Sequence, residues 1–157
     1  MMIANVKGEF TNVSGTVDYD PGNPSASSVD AAVDVNTITT HDAQRDGHLK
    51  SADFFDVEKF PTITFKSKKA TSTGADSFDV VGDLTIHGTT KEVILKVEDF
   101  TEEAKDPSGN IRRGASAKTK INRRDFGMIF NVALESGGFL VGENIEITID
   151  VEMIRLV

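Results

Sequence analysis

The sequence predicts an all-β fold, built as an antiparallel sandwich or barrel with one short helix. Apolar and polar residues alternate with a period of two through most of the chain, which is typical of strands with one buried face. Turn-forming residues separate these runs at 20–27, 71–77, 86–92, 106–110 and 135–138. Helical periodicity is confined to one segment. Short antiparallel strands at regular spacing with little helix favour a sandwich or a barrel.

Four segments carry the alternation clearly, and weaker alternation at 62–67 and 114–122 predicts two further strands. The short HGTT sequence between the second and third segments predicts a hairpin. The expected inward-facing sets are Val29, Ala31, Val33 and Val35; Phe78, Val80, Gly82, Leu84 and Ile86; Val93, Leu95 and Val97; and Ile145, Ile147, Ile149, Val151 and Met153.

The alternation changes parity near the start of the chain. Val6, Gly8 and Phe10 occupy even positions, whereas the next apolar residues, from Val13 to Tyr19, occupy odd ones. A change of parity predicts a bulge or sharp bend around residues 11 and 12. Bends of this kind allow sheets to curl into barrels.

The segment HDAQRDGHLK, residues 41–50, predicts the one short helix. Thr39 or Thr40 is the expected cap, and Asp42 in the first turn suits the positive end of the helix dipole. The apolar residues that follow are expected to cover a barrel opening: Leu49, Phe54, Phe55, Val57 and Phe60.

Length and composition exclude several classes of protein. The 157 residues predict a single domain, 1–157, and the net charge of −8 argues against a nucleic-acid partner. No apolar run approaches the roughly 20 residues of a membrane-spanning helix. The absence of cysteine excludes disulfides and thiolate chemistry. The first residues lack the pattern of a secretory signal, so the chain as written is expected to be cytoplasmic.

Catalytic and metal chemistry find little support in the motifs. His41 and His48 lie two helical turns apart, about 10 Å in rise, which is too far to chelate one ion without other ligands. Arg45 next to His41 disfavours a cation. No strained serine turn or phosphate loop occurs, so no catalytic residue, metal or cofactor is expected. The alternative is a histidine-dependent metalloprotein or enzyme that acts through His41, His48 and His87.

The polar residues of segments 41–53 and 121–127 are better explained as structural. Charge-assisted hydrogen bonds could tie the helix to strand ends, and the MIFNVAL segment at 128–134 could join the first segment in one rim. Small residues on some inward faces indicate a barrel that encloses a cavity. The expected structural polar cluster comprises His41, Arg45, Asp46, His48, His87, Arg123 and Asp125.

Several motifs together resemble the YceI-like polyisoprenoid-binding family. They are HDAQRDGHLKSADFFDVEKFPTITFKS, VVGDLTIHGTTKEVIL, KDPSGNIRRGASAKTKINRRDFG and LVGENIEITIDVE, in that order along almost the whole chain. The resemblance implies a lipocalin-like antiparallel β-barrel whose apolar interior holds a polyisoprenoid, an isoprenoid quinone or another lipid. It also implies carriage or sequestration of that lipid without catalysis, in keeping with transport or a stress response, and a possible homodimer.

On this resemblance, the matched polar positions are architectural and the lipid contacts come from apolar faces. The expected cavity residues are Phe10, Val17, Val33, Phe65, Val80, Leu84, Ile86, Leu95, Ile121, Phe126, Phe130 and Ile147. Family members normally begin with one further strand, which this chain is expected to lack. A signal peptide in a missing N-terminal extension would make the protein periplasmic or secreted. An interaction or stress-response domain with a vestigial pocket is a third possibility.

Overall fold

The fold was analysed in a computed structural model that describes residues 7–20, 22–131 and 142–156. The predicted positions Val6, 132–134 and the turn at 135–138 lie outside these residues. Short 3-10 helices among the described residues lie at Pro24–Ala26, Val35–Thr37 and Arg123–Phe126. The other elements are β1 Glu9–Phe10, β2 Val13–Asp18, β3 Ser28–Asp34, β4 Ile38–Thr39, α1 Ala43–Lys50, β5 Thr62–Ser72, β6 Phe78–Ile86, β7 Thr89–Glu98, β8 Ala104–Lys105, β9 Ile111–Asn122 and β10 Asn144–Ile154.

One large antiparallel sheet dominates the structure, in the order β10-β9-β7-β6-β5-β3-β2, with β8 paired to β9. The short strands β1 and β4 form a separate pair. Within the described residues, β2 and β10 are the two outer strands of the path, and each has one paired neighbour. The predicted class is therefore confirmed as mostly β and antiparallel, with one α-helix in the described part of the chain.

The period-two pattern has the predicted physical basis, since it places one apolar face of the sheet in the core. In β6, Phe78, Val80, Gly82, Leu84 and Ile86 are all buried, and the residues that alternate with them are half-buried. Neighbouring strands contribute further buried residues to the same face, which we call the interior face: Ile63, Phe65 and Ala70 from β5, Leu95 from β7 and Ile121 from β9.

The predicted bend at residues 11 and 12 separates β1 from β2. The backbone N–H groups of Thr11 and Asn12 donate to the Thr37 hydroxyl at 3.1 and 3.2 Å instead of continuing a ladder. Phe10 then pairs with Ile38, whereas Val13 pairs with Val33 in the large sheet. The parity change thus marks the passage of the chain from one sheet to the other.

The hairpin between β6 and β7 is confirmed, and its turn consists of His87 and Gly88. Both residues have positive φ angles, 55° and 72°, as the type I′ turn of tight hairpins requires. His87 lies in the turn itself, because Ile86 and Thr89 are the last paired residues.

Helix α1 forms where the sequence predicts it, but the predicted cap is wrong. Asp42 is the N-cap, and its carboxylate accepts hydrogen bonds from the backbone N–H of Gln44 and Arg45, both at 3.1 Å. Thr40 does not cap the helix, because its N–H and hydroxyl donate to Asp46. In the described residues no helix combines the length and apolarity that crossing a bilayer demands.

Candidate functional site

The interior face is the candidate site, and most of the predicted cavity residues lie on it or pack against it. Val17 is the outlier, with 41% of its surface exposed, because β2 is an outer strand of the described sheet. The buried residues are Phe65, Val80, Leu84, Ile86, Leu95, Ile121 and Phe126, and the half-buried ones are Phe10, Val33, Phe130 and Ile147.

One small inward-facing residue, Gly82, allows close packing and does not leave an open cavity. A Cβ placed on Gly82 would lie 2.6 Å from Cζ of Phe65, so the phenyl ring occupies the volume that the missing side chain leaves. The expectation that small inward residues leave a cavity is therefore wrong at Gly82. Ala31 and Ala117, which are half-buried on the same face, lie in register with Phe65 and Val97 respectively.

A cleft of about 830 Å³ opens between β7 and β9. These strands pair only from Lys96 with Lys118 to Glu98 with Ser116, and diverge beyond Lys96 toward the end of the sheet that carries α1. Interior-face side chains reach the cleft between the strands, among them Val93, Ile121 and Ile147. The cleft therefore connects the interior face with the outside, and its volume lies in the range of small-molecule sites.

The two segments predicted to form a rim do meet at this end of the sheet. The ring of His48 lies 5.1 Å from the rings of both Phe54 and Phe130, and these two phenyl rings are 5.3 Å apart. The Arg123 guanidinium lies 5.9 Å from the centre of the Phe54 ring. Phe54 and Phe130 thus join residues that follow α1 to residues that follow β9.

Arg123 is buried, with 2% of its surface exposed, and acts as an internal donor. Its Nη1 donates to the Met128 carbonyl at 2.6 Å and its Nε to the Gly142 carbonyl at 2.7 Å. Burial is the main cause that lowers the pKa of this guanidinium from its ordinary value. The side chain thereby holds the backbone after β9 against the start of the segment that leads into β10.

Arg45 and Asp46 bind the end of β4 through Thr40. Arg45 Nε donates to the Thr40 hydroxyl at 2.9 Å, and its Nη2 donates to the Thr40 carbonyl at 3.1 Å. The Thr40 hydroxyl in turn donates to the Asp46 carboxylate at 2.6 Å. These bonds attach α1 to the chain before it, which is the kind of contact the sequence predicted.

The three histidines lie in different surroundings. His48 Nε2 is 2.8 Å from the Asp53 carboxylate, and His87 Nδ1 is 3.2 Å from the Phe126 carbonyl, with the Phe60 ring 4.7 Å away. His41 is exposed. No group of three or more residues of the metal-binding types is placed to hold an ion in the described part of the chain. The seven predicted polar residues are spread over separate contacts, and Asp125 is an exposed residue at the cleft.

The sequence analysis did not single out the opposite end of the sheet, where an aromatic cluster lies. The ring of Phe100 is 4.8 Å from Tyr19 and 5.4 Å from Phe78, and the Arg113 guanidinium lies 4.2 Å over it. It also overlooked Lys91, which pairs in register with buried Leu84 and lines the cleft. The alternation along β7 could have placed Lys91 on the interior face, since it occupies an odd position like Val93, Leu95 and Val97.

Comparison with known proteins gives concordant matches. A family model described as the YceI-like domain matches residues 1–153. A UPF0312 protein of Azotobacter vinelandii is 36% identical over 148 residues, which cover 94% of this chain and 73% of that protein. A UPF0312 protein of Vibrio cholerae is 41% identical over 123 residues, or 78% of this chain. The match spans 65% of the length of the Vibrio protein.

Solved structures show the same fold. The YceI protein of Campylobacter jejuni matches with a TM-score of 0.83 and 31% identity, over 100% of this chain and 89% of that one. BcnA of Burkholderia cenocepacia matches in fold with a TM-score of 0.79 and 22% identity, over 96% of this chain and 89% of that one. From the family match and the relatives together, the chain belongs to the YceI-like family.

Proposed function

We propose that this protein binds the hydrocarbon chain of a long isoprenoid, of the polyprenyl or isoprenoid quinone type, or of another lipid. The hydrocarbon chain of the ligand lies against the interior face of a sheet that curves as a lipocalin-like barrel. The protein sequesters or carries the lipid without catalysis. The observation that carries the proposal is the apolar interior face opening at the β7–β9 cleft. Family membership and the fold of the solved relatives support it.

The composition of the interior face suits a hydrocarbon ligand. Buried aliphatic and aromatic side chains from β5, β6, β7 and β9 form it. Each buried methylene group contributes about 0.8 kcal/mol, so about ten of them contribute roughly 8 kcal/mol before the entropic costs of association. A binding free energy of this size does not require specific polar contacts.

The cleft between β7 and β9 gives a lipid a route to the interior face. Val93 and Ile147 line it from opposite strands, so a hydrocarbon chain that enters there meets apolar side chains on both sides. A binding role without catalysis also accords with the histidines, because His48 and His87 are engaged by Asp53 and by the Phe126 carbonyl.

Lipid extraction and a matched pair of variants test the proposal. Solvent extracts of the purified protein are analysed by mass spectrometry, and the delipidated protein is titrated with farnesol. Ala117→Phe adds bulk to the interior face, since Ala117 pairs with Val97 and Ile149. Ser116→Phe adds the same ring to the outer face, where Ser116 pairs with Glu98 and Asp150. We expect farnesol affinity to fall for Ala117→Phe and to be retained by Ser116→Phe.

The control measurement is thermal melting, which must show that both variants are folded at the temperature of the titration. An extract free of lipid, together with no detectable binding of farnesol or of a quinone, would count against the proposal. Equal loss of affinity in the two variants would also contradict it, because the outer face would then matter as much as the interior. Stoichiometric metal in the purified protein would favour the histidine-dependent alternative.

A further inference from the structure

Residues 128–130 follow the 3-10 helix at Arg123–Phe126 without regular secondary structure, and we call them the flap. Met128, the first residue of the flap, is 2% exposed and belongs to the same core as the interior face. Ile129 is 63% exposed, whereas the side chain of Phe130 is half-buried. The flap therefore covers the core with its first residue and is in contact with the protein again at its last.

Hydrogen bonds to the described residues hold the flap at its first residue. The Met128 N–H donates to the Arg123 carbonyl at 3.2 Å, and the Met128 carbonyl accepts from Arg123 Nη1 at 2.6 Å. Ile129 and Phe130 form no hydrogen bond with a described residue. Attachment of the flap beyond Met128 therefore depends on contacts of side chains.

The Phe130 ring provides this attachment at the end of the flap. It meets the rings of His48 and Phe54 edge to face, with ring centres 5.1 and 5.3 Å away and planes at 81° and 68°. His48 Nε2 is 2.8 Å from the Asp53 carboxylate. The Phe54 N–H donates to the Ser51 carbonyl at 3.0 Å. Phe130 thus contacts two rings that are held in place by hydrogen bonds of their own.

The contact of these rings lies outside the main core. Phe126 and Met128 belong to that core, but Phe54 and Phe130 do not pack against its buried residues. Separation of the rings therefore leaves the sheet intact. Segments with few buried apolar contacts and few backbone hydrogen bonds open locally at low free energy, without global unfolding. Residues 128–130 meet both conditions.

Gly127 provides a hinge for the flap. Its φ angle is 78°, in the left-handed region, and its N–H donates to the Arg124 carbonyl at 3.1 Å, so the 3-10 helix ends there. Hinges are commonly single residues at the ends of elements, where they absorb changes in φ and ψ. Rotation at Gly127 moves the flap, while Phe126 stays with the sheet because its carbonyl is bound to His87 Nδ1 at 3.2 Å.

We propose that the flap is a hinged cover of the interior core, which opens when the Phe130 ring separates from its two partner rings. The open flap uncovers Met128. It also widens the access to the interior face, because Asp125 and Phe126, just before the flap, line the β7–β9 cleft. This motion is a property of the folded chain and holds whether or not a lipid binds.

Amide hydrogen exchange tests the flap in the protein without added lipid. The reporter is the Met128 amide, because its bond to the Arg123 carbonyl must break when the flap opens. Phe130→Ala removes the ring contacts and should speed exchange of this amide on the order of tenfold. Phe130→Leu, which keeps apolar bulk, should show a smaller acceleration. Ile129→Ala, at the exposed neighbour, should leave the rate unchanged.

A single cysteine gives a second measurement, because the chain contains none. Met128→Cys places a thiol at the covered position. Ala70→Cys places one in the core on β5, where Ala70 is 5% exposed. Addition of Phe130→Ala should speed the reaction of Met128→Cys with iodoacetamide on the order of tenfold and leave that of Ala70→Cys unchanged. The amides of β6, which lies between β5 and β7, should likewise exchange at the wild-type rate.

The contrary results are distinguishable. An unchanged Met128 exchange rate in Phe130→Ala, or an equal acceleration in Ile129→Ala, overturns the role of the ring contacts. Equal acceleration at the β6 amides or at Ala70→Cys overturns the flap, because the opening is then global unfolding. Both measurements are made without lipid, so a failure of the flap leaves the proposed function intact, and lipid extraction tests that function separately.

Discussion

Asp46 of α1 accepts two hydrogen bonds from Thr40, one from the backbone N–H at 2.8 Å and one from the hydroxyl at 2.6 Å. The bond from the Thr40 hydroxyl is the main cause that lowers the pKa of the Asp46 carboxyl from its ordinary value of 3.8. The charged form of Asp46 is thus favoured in the folded protein, and it holds the helix to the end of β4.

This relationship predicts an acid-dependent loss of stability. A carboxyl whose pKa is lower in the folded state stabilises the fold above its unfolded pKa, and that contribution is lost as the pH falls through the folded pKa. We expect the free energy of unfolding to decrease as the pH falls below 3.8. Asp46→Asn should weaken this dependence, as measured by urea unfolding at a series of pH values.

Glu58→Gln, at an exposed position, is the control for that series. It should leave the acid dependence as in the wild-type protein. If Asp46→Asn and the wild-type protein lost stability in parallel over this range, the link between the Thr40 bonds and acid sensitivity would be wrong.

The N-cap of α1 leads to a second prediction. Asp42 satisfies the N–H groups of Gln44 and Arg45, and removal of a cap of this type costs about 1 kcal/mol. We expect Asp42→Ala to lower the free energy of urea unfolding by about that amount. Asp42→Ser, which keeps an acceptor, should lose much less, and equal losses would argue against the capping role.

Two glycines should respond to alanine in opposite directions. At Gly82 a Cβ would lie 2.6 Å from the Lys66 carbonyl and from the Phe65 ring, so Gly82→Ala should cost about 1–3 kcal/mol through overpacking. At Gly47, inside α1, nothing lies within 4 Å, so Gly47→Ala should stabilise the protein by about 0.5–1 kcal/mol. Thermal melting of both variants checks whether each substitution stabilises or destabilises the protein. A Gly82→Ala variant that melts no lower than the wild-type protein would contradict the close packing of Phe65 against Gly82.

Arg123 and Arg124 are adjacent arginines with different predicted effects. Arg123→Met removes the donor to the Met128 and Gly142 carbonyls and should cost at least about 2 kcal/mol in urea unfolding. Arg124 is exposed and lies 3.7 Å from Glu143, so Arg124→Met should cost less than about 1 kcal/mol. Similar losses for the two variants would contradict the internal role of Arg123.

Much of the fold could be predicted because its signals are local. Alternation identified β3, β6, β7 and β10, and the parity change located the bend between β1 and β2. Strand periodicity and tight turns depend on residues close together in the chain, so a single sequence carries them. The sequence predicted that Arg45 and Asp46 bind a strand end, but it did not reveal that Thr40 is their partner and that Asp42 caps the helix.

What the sequence by itself determined is the antiparallel β architecture, the position of helix α1, the apolar character of one sheet face and the resemblance to the YceI-like family. Only the tertiary structure decided that Phe65 fills the space at Gly82, that β7 and β9 diverge beyond Lys96, and that Lys96 faces Lys118. These facts depend on register between strands distant in sequence. Register follows from packing of the whole sheet, so no local pattern reveals which residues become partners.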